Sequence, residues 1–398
     1  MSHGDDVVLV ASAGAYRLGA FLTAARALGR TVTVLTDATV PLGEAVHTVS
    51  LTAPESLASV ATRFRRPVGA VVGVDGAALE AAAVLAELLG LDANPVTAVR
   101  AATHKDAQRR LVAELTQVAQ PPFAVVPLGI DAGRAALDVG LPAVVKPVSL
   151  QASCGVVRVA DPLDARAAAH LARSLAGGDG PVLVERFVPG GEVAVEGLLD
   201  HGELHVLAIF DKPDAPQGPT FPETMLVTPS TLAPDAQRRL ATDATAVCRA
   251  IGLRHGPVHL EFRIDPRGTP VFLELAARTI GGRCASMLHF GAGTTLEELV
   301  LRQALGLPFD PRRDGGAVGV WMVPVPATGT VTGIDGVDRA RRVPGVAEVV
   351  IDVVVGERVE ALPRSGRYLG FVFARGEHPD EVAAALHKAA GELAVSTG

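Results

Sequence analysis

Residues 6–11 (Asp-Val-Val-Leu-Val-Ala), apolar from Val7 on, are read as a buried strand. An apolar helix follows through Leu28, Gly29 closes it, and 31–36 is the next strand. Further strands are expected at 46–51 and 68–74, with helices at about 55–64 and 76–89. This βαβ alternation predicts a parallel, doubly wound sheet. The turn after the first strand, Ser12-Ala13-Gly14-Ala15-Tyr16, lacks the G-x-G-x-x-G spacing. A structural α/β domain flanking a neighbouring site is therefore favoured over dinucleotide binding.

A boundary is expected near Asn94-Pro95. Thr103 is read as an N-cap, with Asp106 three residues on, for a helix reaching to about Val118. From Phe123 the pattern turns mixed, with strands near 143–148, 156–159, 181–187, 193–199 and 204–211. A long helix at about 234–250 precedes two strands around the turn Asp265-Pro266-Arg267-Gly268. Glycine-rich turns and short strands mark a last segment after Gly315. No internal repeat or low-complexity stretch interrupts the pattern.

The 398 residues suffice for more than one domain, and 48% hydrophobic with 20% charged residues fits a globular chain. Only 4% is aromatic, so Val, Leu and Ala must build the core. A net charge of −7 disfavours nonspecific binding to nucleic acid or to an anionic membrane. The acidic start, Met1 to Asp6, lacks a basic n-region, and the apolar runs are broken by Gly, Pro or charge. Neither a secretory signal nor a membrane span is expected. Cys154, Cys248 and Cys284 are too far apart for a zinc pattern or a disulfide framework, which suits the cytoplasm.

Three places carry candidate chemistry. Lys146 ends the apolar run Ala143-Val144-Val145, where a buried ammonium needs an anionic partner. The small-residue loop Gln151-Ala152-Ser153-Cys154-Gly155 after it can lie close over phosphates and offer N–H groups. An edge-strand lysine followed by a flexible hairpin explains these residues equally well. Next, Glu185 ends a strand, and Arg186-Phe187-Val188-Pro189-Gly190-Gly191 leads to Glu192. An extended segment can pair with an adenine edge and a carboxylate can take ribose hydroxyls; the alternative is two solvated loop acids. The strongest signal is His259-Leu260-Glu261-Phe262 on one strand and Glu274, followed by Arg278, on the next. Paired carboxylates on otherwise apolar strands repel unless a cation lies between them, and magnesium favours one or two carboxylates plus phosphate oxygens. Arg278 adds a planar fork for a phosphoryl or carboxylate group. A structural salt bridge to Arg263 or Arg278 is the plainer alternative, and it leaves a surplus carboxylate among apolar neighbours.

Taken in order, Lys105, Lys146, the small-residue loop, Glu185, Glu192, Glu261, Glu274 and Arg278 resemble the ATP-grasp superfamily over roughly residues 100–310. The resemblance implies an ATP-grasp fold of α/β and α+β class in three parts. These are a Rossmann-like domain over 1–98, an ATP-grasp domain over 99–312 with a mobile lid at about 120–187, and a C-terminal α+β segment over 313–398. It also implies that Lys105 and Lys146 hold the ATP phosphates under a lid formed by Ser153, Cys154 and Gly155. Glu185, Phe187 and Val188 then belong to the adenine hinge, Glu192 to the ribose, and Glu261 and Glu274 to magnesium, with manganese as a substitute. Two departures are plain. Ala276 stands where many members carry a metal-binding Asn, and the lid has less glycine than usual.

Within the superfamily, His259-Leu260-Glu261 and Glu274 through Arg278-Thr279-Ile280-Gly281-Gly282 look most like the L-amino acid ligase, or dipeptide synthetase, group. The stretches Thr220-Phe221-Pro222-Glu223-Thr224, Gly329-Thr330-Val331 and Tyr368-Leu369-Gly370-Phe371-Val372 are also similar. That resemblance implies that Arg278, Gly281 and Gly282 hold the substrate carboxylate and acyl phosphate, that Glu223 faces an amino group, and that His259 belongs to the substrate site. The implied reaction is carboxylate–amine ligation through an acyl phosphate, with Lys146 and Arg278 in catalytic roles and ADP and phosphate as products. Its partners are small carboxylates and amines, and base rates favour a homodimer. The rivals are a purine-biosynthetic ATP-grasp enzyme of the formate-dependent glycinamide ribonucleotide transformylase type and a nucleotide-binding regulatory protein without catalysis.

Overall fold

The computed structural model describes residues 4, 6–38 and 45–398. Of the acidic start weighed above as a leader, all but Gly4 and Asp6 lie outside the described residues. The expected parallel sheet is present, with strand Asp6–Ala11 between Thr31–Thr36 and Val68–Gly73, and Ala45–Thr48 on the outer edge. Its central strand is apolar and buried from Val7 to Ala11 because both faces are covered. Val7 and Leu9 pack in one core with Phe21 of helix Leu18–Ala27; Val8 and Val10 pack in another with Leu57 and Leu85.

The largest element is an eight-stranded antiparallel sheet. Its order is Pro270–Ala276, Gly256–Ile264, Gly191–Asp200, Glu203–Lys212, Met225–Thr228, Ala317–Pro324, Tyr368–Gly376 and Val346–Ile351. Gly191–Asp200 shows no polar alternation because it lies between two cores. Ala194 and Leu198 pack with Phe21 and Met287, while Val193, Val195 and Leu199 face Leu240 and Val247 of helix Pro234–Ile251. Each fully buried Val or Leu there contributes roughly 1.5–3 kcal/mol. The long helix starts on Pro234 and stops at Gly252, whose φ of 89° suits a residue without a β-carbon.

A separate four-stranded sheet sets Ala143–Pro147 between Val157–Val159 and Val182–Arg186, with Phe123–Val126 at the edge. Helices Ala132–Val139 and Pro162–Leu175 cover it, each started by an aspartate (Asp131, Asp161) that accepts from free N–H groups of the first turn. This unit projects Lys146 and Glu185 toward the large sheet.

Two expectations need correction. Thr103 caps no N-terminus, because it ends a helix over Val96–Ala102. His104 occupies the N-cap of the next helix, which runs only over Lys105–Ala113. The sequence reading misses the helix over Val96–Ala102, and it carries the second to Val118 because Leu115 and Val118 continue the apolar pattern into the same core. The last segment is also more regular than expected: Ala317–Pro324 and Tyr368–Gly376 complete the large sheet, and helix Pro379–Glu392 packs on it. No helix among the described residues is long and apolar enough to cross a membrane.

Candidate active site

Lys146 is 6% exposed, and its Nζ lies 2.6 Å from Glu185 Oε2. On the other side Arg109 Nε donates to Glu185 Oε1 at 2.5 Å. Burial pulls the Lys146 ammonium below its ordinary value, with repulsion from Arg109 adding to it. Burial pushes Glu185 up, but Arg109 and Lys146 outweigh it and hold the carboxyl below its usual range. The Glu185 carboxylate at 2.6 Å opposes the Lys146 shift. The anionic partner required by a buried lysine is thus a glutamate on the neighbouring strand, diagonal to it in the small sheet, where Lys146 pairs with Leu183 and Glu185 with Val144.

The second group is carried by the large sheet. Glu261 and Glu274 are register partners on adjacent antiparallel strands, so their side chains share a face. Glu274 Oε2 lies 3.3 Å from Lys105 Nζ, and Glu261 Oε1 lies 3.4 Å from Lys212 Nζ. Lys212 also meets Glu192 Oε1 at 2.6 Å and Glu223 Oε1 at 3.0 Å, so one buried ammonium joins three carboxylates. Burial pushes Glu274 up, but Lys105 and Lys146 hold it down at about 2. Glu261 behaves oppositely: burial raises it, Lys212 offsets part of that, and Glu223 pushes it up again. His259 bridges Glu196 at 3.3 Å and Glu261 at 3.4 Å. Burial opposes its charge, but the two carboxylates push it up to about 9.

Arg263 pairs with Glu192, Nε to Oε2 at 3.1 Å, and not with Glu261. The Phe187 ring lies between cations, with the Arg158 guanidinium 4.3 Å and that of Arg263 5.0 Å from its centroid. Val188 accepts from Arg263 through its carbonyl at 3.1 Å. The loop after Lys146 lies against the C-terminal segment: Gly155 N–H donates to Pro363 O at 2.7 Å, and Cys154 Sγ lies 3.2 Å from Arg364 O. Ala152 and Ser153 take positive φ, 52° and 55°. Lys105 Nζ donates to Leu150 O at 2.7 Å, which ties the loop to the helix below it.

Arg278 closes the arrangement. Its Nη1 donates to Thr279 O at 2.9 Å, and its Nε reaches Gln151 Oε1 at 3.4 Å. Gly282 has φ of 60° and packs so closely on Met322 that a β-carbon there would stand 2.3 Å from the sulfur. Lys105, Lys146, Glu185, Glu192, Lys212, Glu223, His259, Glu261, Arg263, Glu274 and Arg278 line one cavity of about 630 Å³ between the parallel-sheet domain, the small sheet and the large sheet.

Two family models match parts of the chain, an ATP-grasp domain over 139–287 and L-amino acid ligase C-terminal domain 2 over 321–398. The chain carries an ATP-grasp domain. The whole fold superposes on an L-amino acid ligase from Bacillus licheniformis with a TM-score of 0.81 and 25% identity, covering 100% of both chains. An uncharacterized protein of Sinorhizobium fredii, y4rH, is 31% identical over 282 residues, 68% of this chain and 56% of the relative. Alanine–anticapsin ligase of Bacillus subtilis is 27% identical over 190 residues, 42% of this chain and 40% of the relative. This chain therefore spans about half the length, or less, of these two relatives.

Of the positions singled out in the sequence of this ATP-grasp chain, Lys105, Lys146, Ser153, Glu185, Phe187, Val188, Glu192, Glu223, His259, Glu261, Glu274, Arg278, Gly281 and Gly282 line the one cavity. Cys154 and Gly155 turn instead toward the C-terminal loop. Sequence reasoning missed Lys212, Arg263, Arg109 and Arg17. A signal existed for Lys212: like Lys146, it ends an apolar strand, Leu207-Ala208-Ile209-Phe210. Arg109 stands four residues after Lys105 and so shares its helix face.

Proposed function

We propose that this protein is an ATP-dependent ligase joining a carboxylate to an amine, with an amino acid among its substrates. One observation carries the reading. A single cavity of about 630 Å³ gathers three lysines, a facing pair of carboxylates and an arginine with no acidic partner. The likeness to proteins named as amino acid ligases supports it further.

The donor set fits magnesium. Glu261 and Glu274 face each other with side chains 15% and 35% exposed, and burial with Glu223 leaves Glu261 raised despite Lys212. Lys212, which reaches Glu261, is shared with Glu192 and Glu223. The pair lacks the third protein ligand of a closed metal site, since no cluster of three His, Cys, Asp or Glu ligands occurs among the described residues. Two carboxylates plus phosphate oxygens are what magnesium favours, and the same oxygens suit manganese. Bound there, the ion would neutralise charge between the outer phosphates of ATP.

The residues of the chain do the rest. Lys146 and Lys105 hold phosphate oxygens, and Phe187 and Val188 flank the base. A substrate carboxylate attacks the γ-phosphorus, and ADP leaves with the electron pair of the broken P–O bond. Arg278 stabilises the acyl phosphate. The amine of the second substrate attacks the acyl carbon, the C–N bond forms, and phosphate leaves with the surplus proton. The loop at Ser153 excludes water from the acyl phosphate. Glu223, held down at about 2 by Lys212 against the upward push of burial, stays anionic to receive an ammonium.

Incubation with ATP, magnesium and pooled amino acids, followed by mass spectrometry, tests this. ADP, phosphate and a new amide are expected. AMP would overturn the mechanism, and ADP formed only with a phosphorylated ribose amine would favour the purine-pathway reading.

A further inference from the structure

The turn Ser12-Ala13-Gly14-Ala15-Tyr16-Arg17 follows the first strand and plays no part in the reaction described above. It is nonetheless firmly held. Ser12 donates to Asp75 Oδ2 through both N–H and Oγ at 2.9 Å, and Ala13 N–H donates to Asp37 Oδ1 at 2.8 Å. The turn delivers Arg17, 7% exposed, to the wall of the cavity, stacked 5.0 Å from the Tyr16 ring. Arg17 Nη2 donates to Ile280 O at 2.5 Å, and Nε has no partner. Arg278 stands two residues from that carbonyl, and its own contacts are the Thr279 carbonyl and the Gln151 amide.

Two guanidiniums from different domains thus meet at the turn 278–282. Among the described residues, no carboxylate lies within the 4.0 Å ion-pair distance of either. Of the buried acids nearby, burial pushes the Glu297 carboxyl up, Glu196 accepts from Ile280 N–H at 3.0 Å and meets His259 at 3.3 Å, and Glu223 pairs with Lys212 at 3.0 Å. Burial, and then Arg17, pull Arg278 below its ordinary value. By contrast, Arg283 has Asp352 at 2.8 Å and Arg367 has Glu357 at 2.6 Å. A buried cation without a counter-ion is unfavourable unless a ligand brings one.

We propose that Arg17 is a substrate-binding residue that holds the free carboxylate of the amine substrate, beside the acyl phosphate held by Arg278. This rests on the ligase reading and deepens it. The reaction brings two anions together when an acyl phosphate meets an α-amino acid, and the cavity offers two cations without a carboxylate at ion-pair distance to match. Arg17 then makes a free carboxylate on the acceptor a condition of efficient coupling.

The test uses the full chain with ATP, magnesium and the twenty L-amino acids, singly and in pairs; mass spectrometry of the product identifies the acceptor. The best acceptor is then replaced by its carboxamide, and ethanolamine phosphate is added as a separate acceptor. In the wild type the carboxamide couples about 10- to 100-fold less efficiently, the scale of one lost charge-assisted pair. Arg17→Gln raises KM for the acid acceptor by a similar factor and removes the preference for acid over carboxamide. Arg17→Lys falls between, and affinity for an ATP analogue stays within twofold. A carboxamide coupled as well as the acid overturns the proposal even if Arg17→Gln fails to fold. So does an unchanged acceptor KM in that variant, or coupling of ethanolamine phosphate in place of amino acids. If no pair yields ADP, the ligase reading falls and takes this proposal with it; ADP formation without acid preference removes this proposal alone.

Discussion

The Lys146–Glu185–Arg109 triad makes a prediction in which two substitutions at one contact behave differently. In Lys146→Met, Glu185 keeps its bond from Arg109 at 2.5 Å, so no buried charge is stranded. One charge-assisted bond worth about 1.5–3 kcal/mol is lost, offset in part because a buried ammonium is no longer desolvated. In Glu185→Gln, two buried cations face each other without a counter-ion, which costs about 3–5 kcal/mol. With unfolding entropy scaling at about 2.1 cal/mol/K per residue over 398 residues, that is a fall in Tm of about 4–6 °C, against about 2 °C or less for Lys146→Met. The pH dependence has a definite sign. Glu185 is held below its ordinary value of 4.5, so its stabilisation is fully present above that pH and fades as pH falls through the depressed folded value. The gap between wild type and Glu185→Gln is therefore widest near neutrality and narrows in acid. Thermal unfolding from pH 7 down to pH 3.5, with calorimetric titration of an ATP analogue, reads both effects. Lys146→Met should remain folded yet bind the analogue at least about tenfold more weakly, the loss of roughly 1.4 kcal/mol of contact. Equal destabilisation by the two variants, or unchanged nucleotide affinity in Lys146→Met, would refute the reasoning.

Two further outcomes follow from the cavity. Glu274→Gln should lower phosphate release more than Glu223→Gln, because a metal ligand serves every acceptor and Glu223 serves one substrate; the reverse order in a phosphate-release assay would move the metal elsewhere. Gly282→Ala should destabilise the chain by about 1–2 kcal/mol, the cost of a left-handed conformation for a residue with a β-carbon, with more from the 2.3 Å approach to Met322. Met322→Ala should relieve only the second part, which a comparison of Tm across the single and double variants will show.

The sequence by itself determined the regular elements and those site features that depend on a single element or hairpin. Lys146 was legible because charge at the end of an apolar strand is unfavourable without a partner. The facing of Glu261 and Glu274 was nearly fixed as well, since the turn at Asp265-Pro266-Arg267-Gly268 joins their strands directly and pairs them across the ladder. The Ser12–Arg17 turn, in contrast, offered no motif and read as plain scaffolding. Only the tertiary structure brought Arg17 to Ile280, 263 residues along the chain, and set Lys212 among Glu192, Glu223 and Glu261. It also decided that Arg263 pairs with Glu192, because those residues are register partners on neighbouring strands. Local periodicity specifies which face of an element is buried. Which charges meet is decided by how strands align within the sheet and how domains dock, and those contacts join residues too distant in sequence for any local pattern to record.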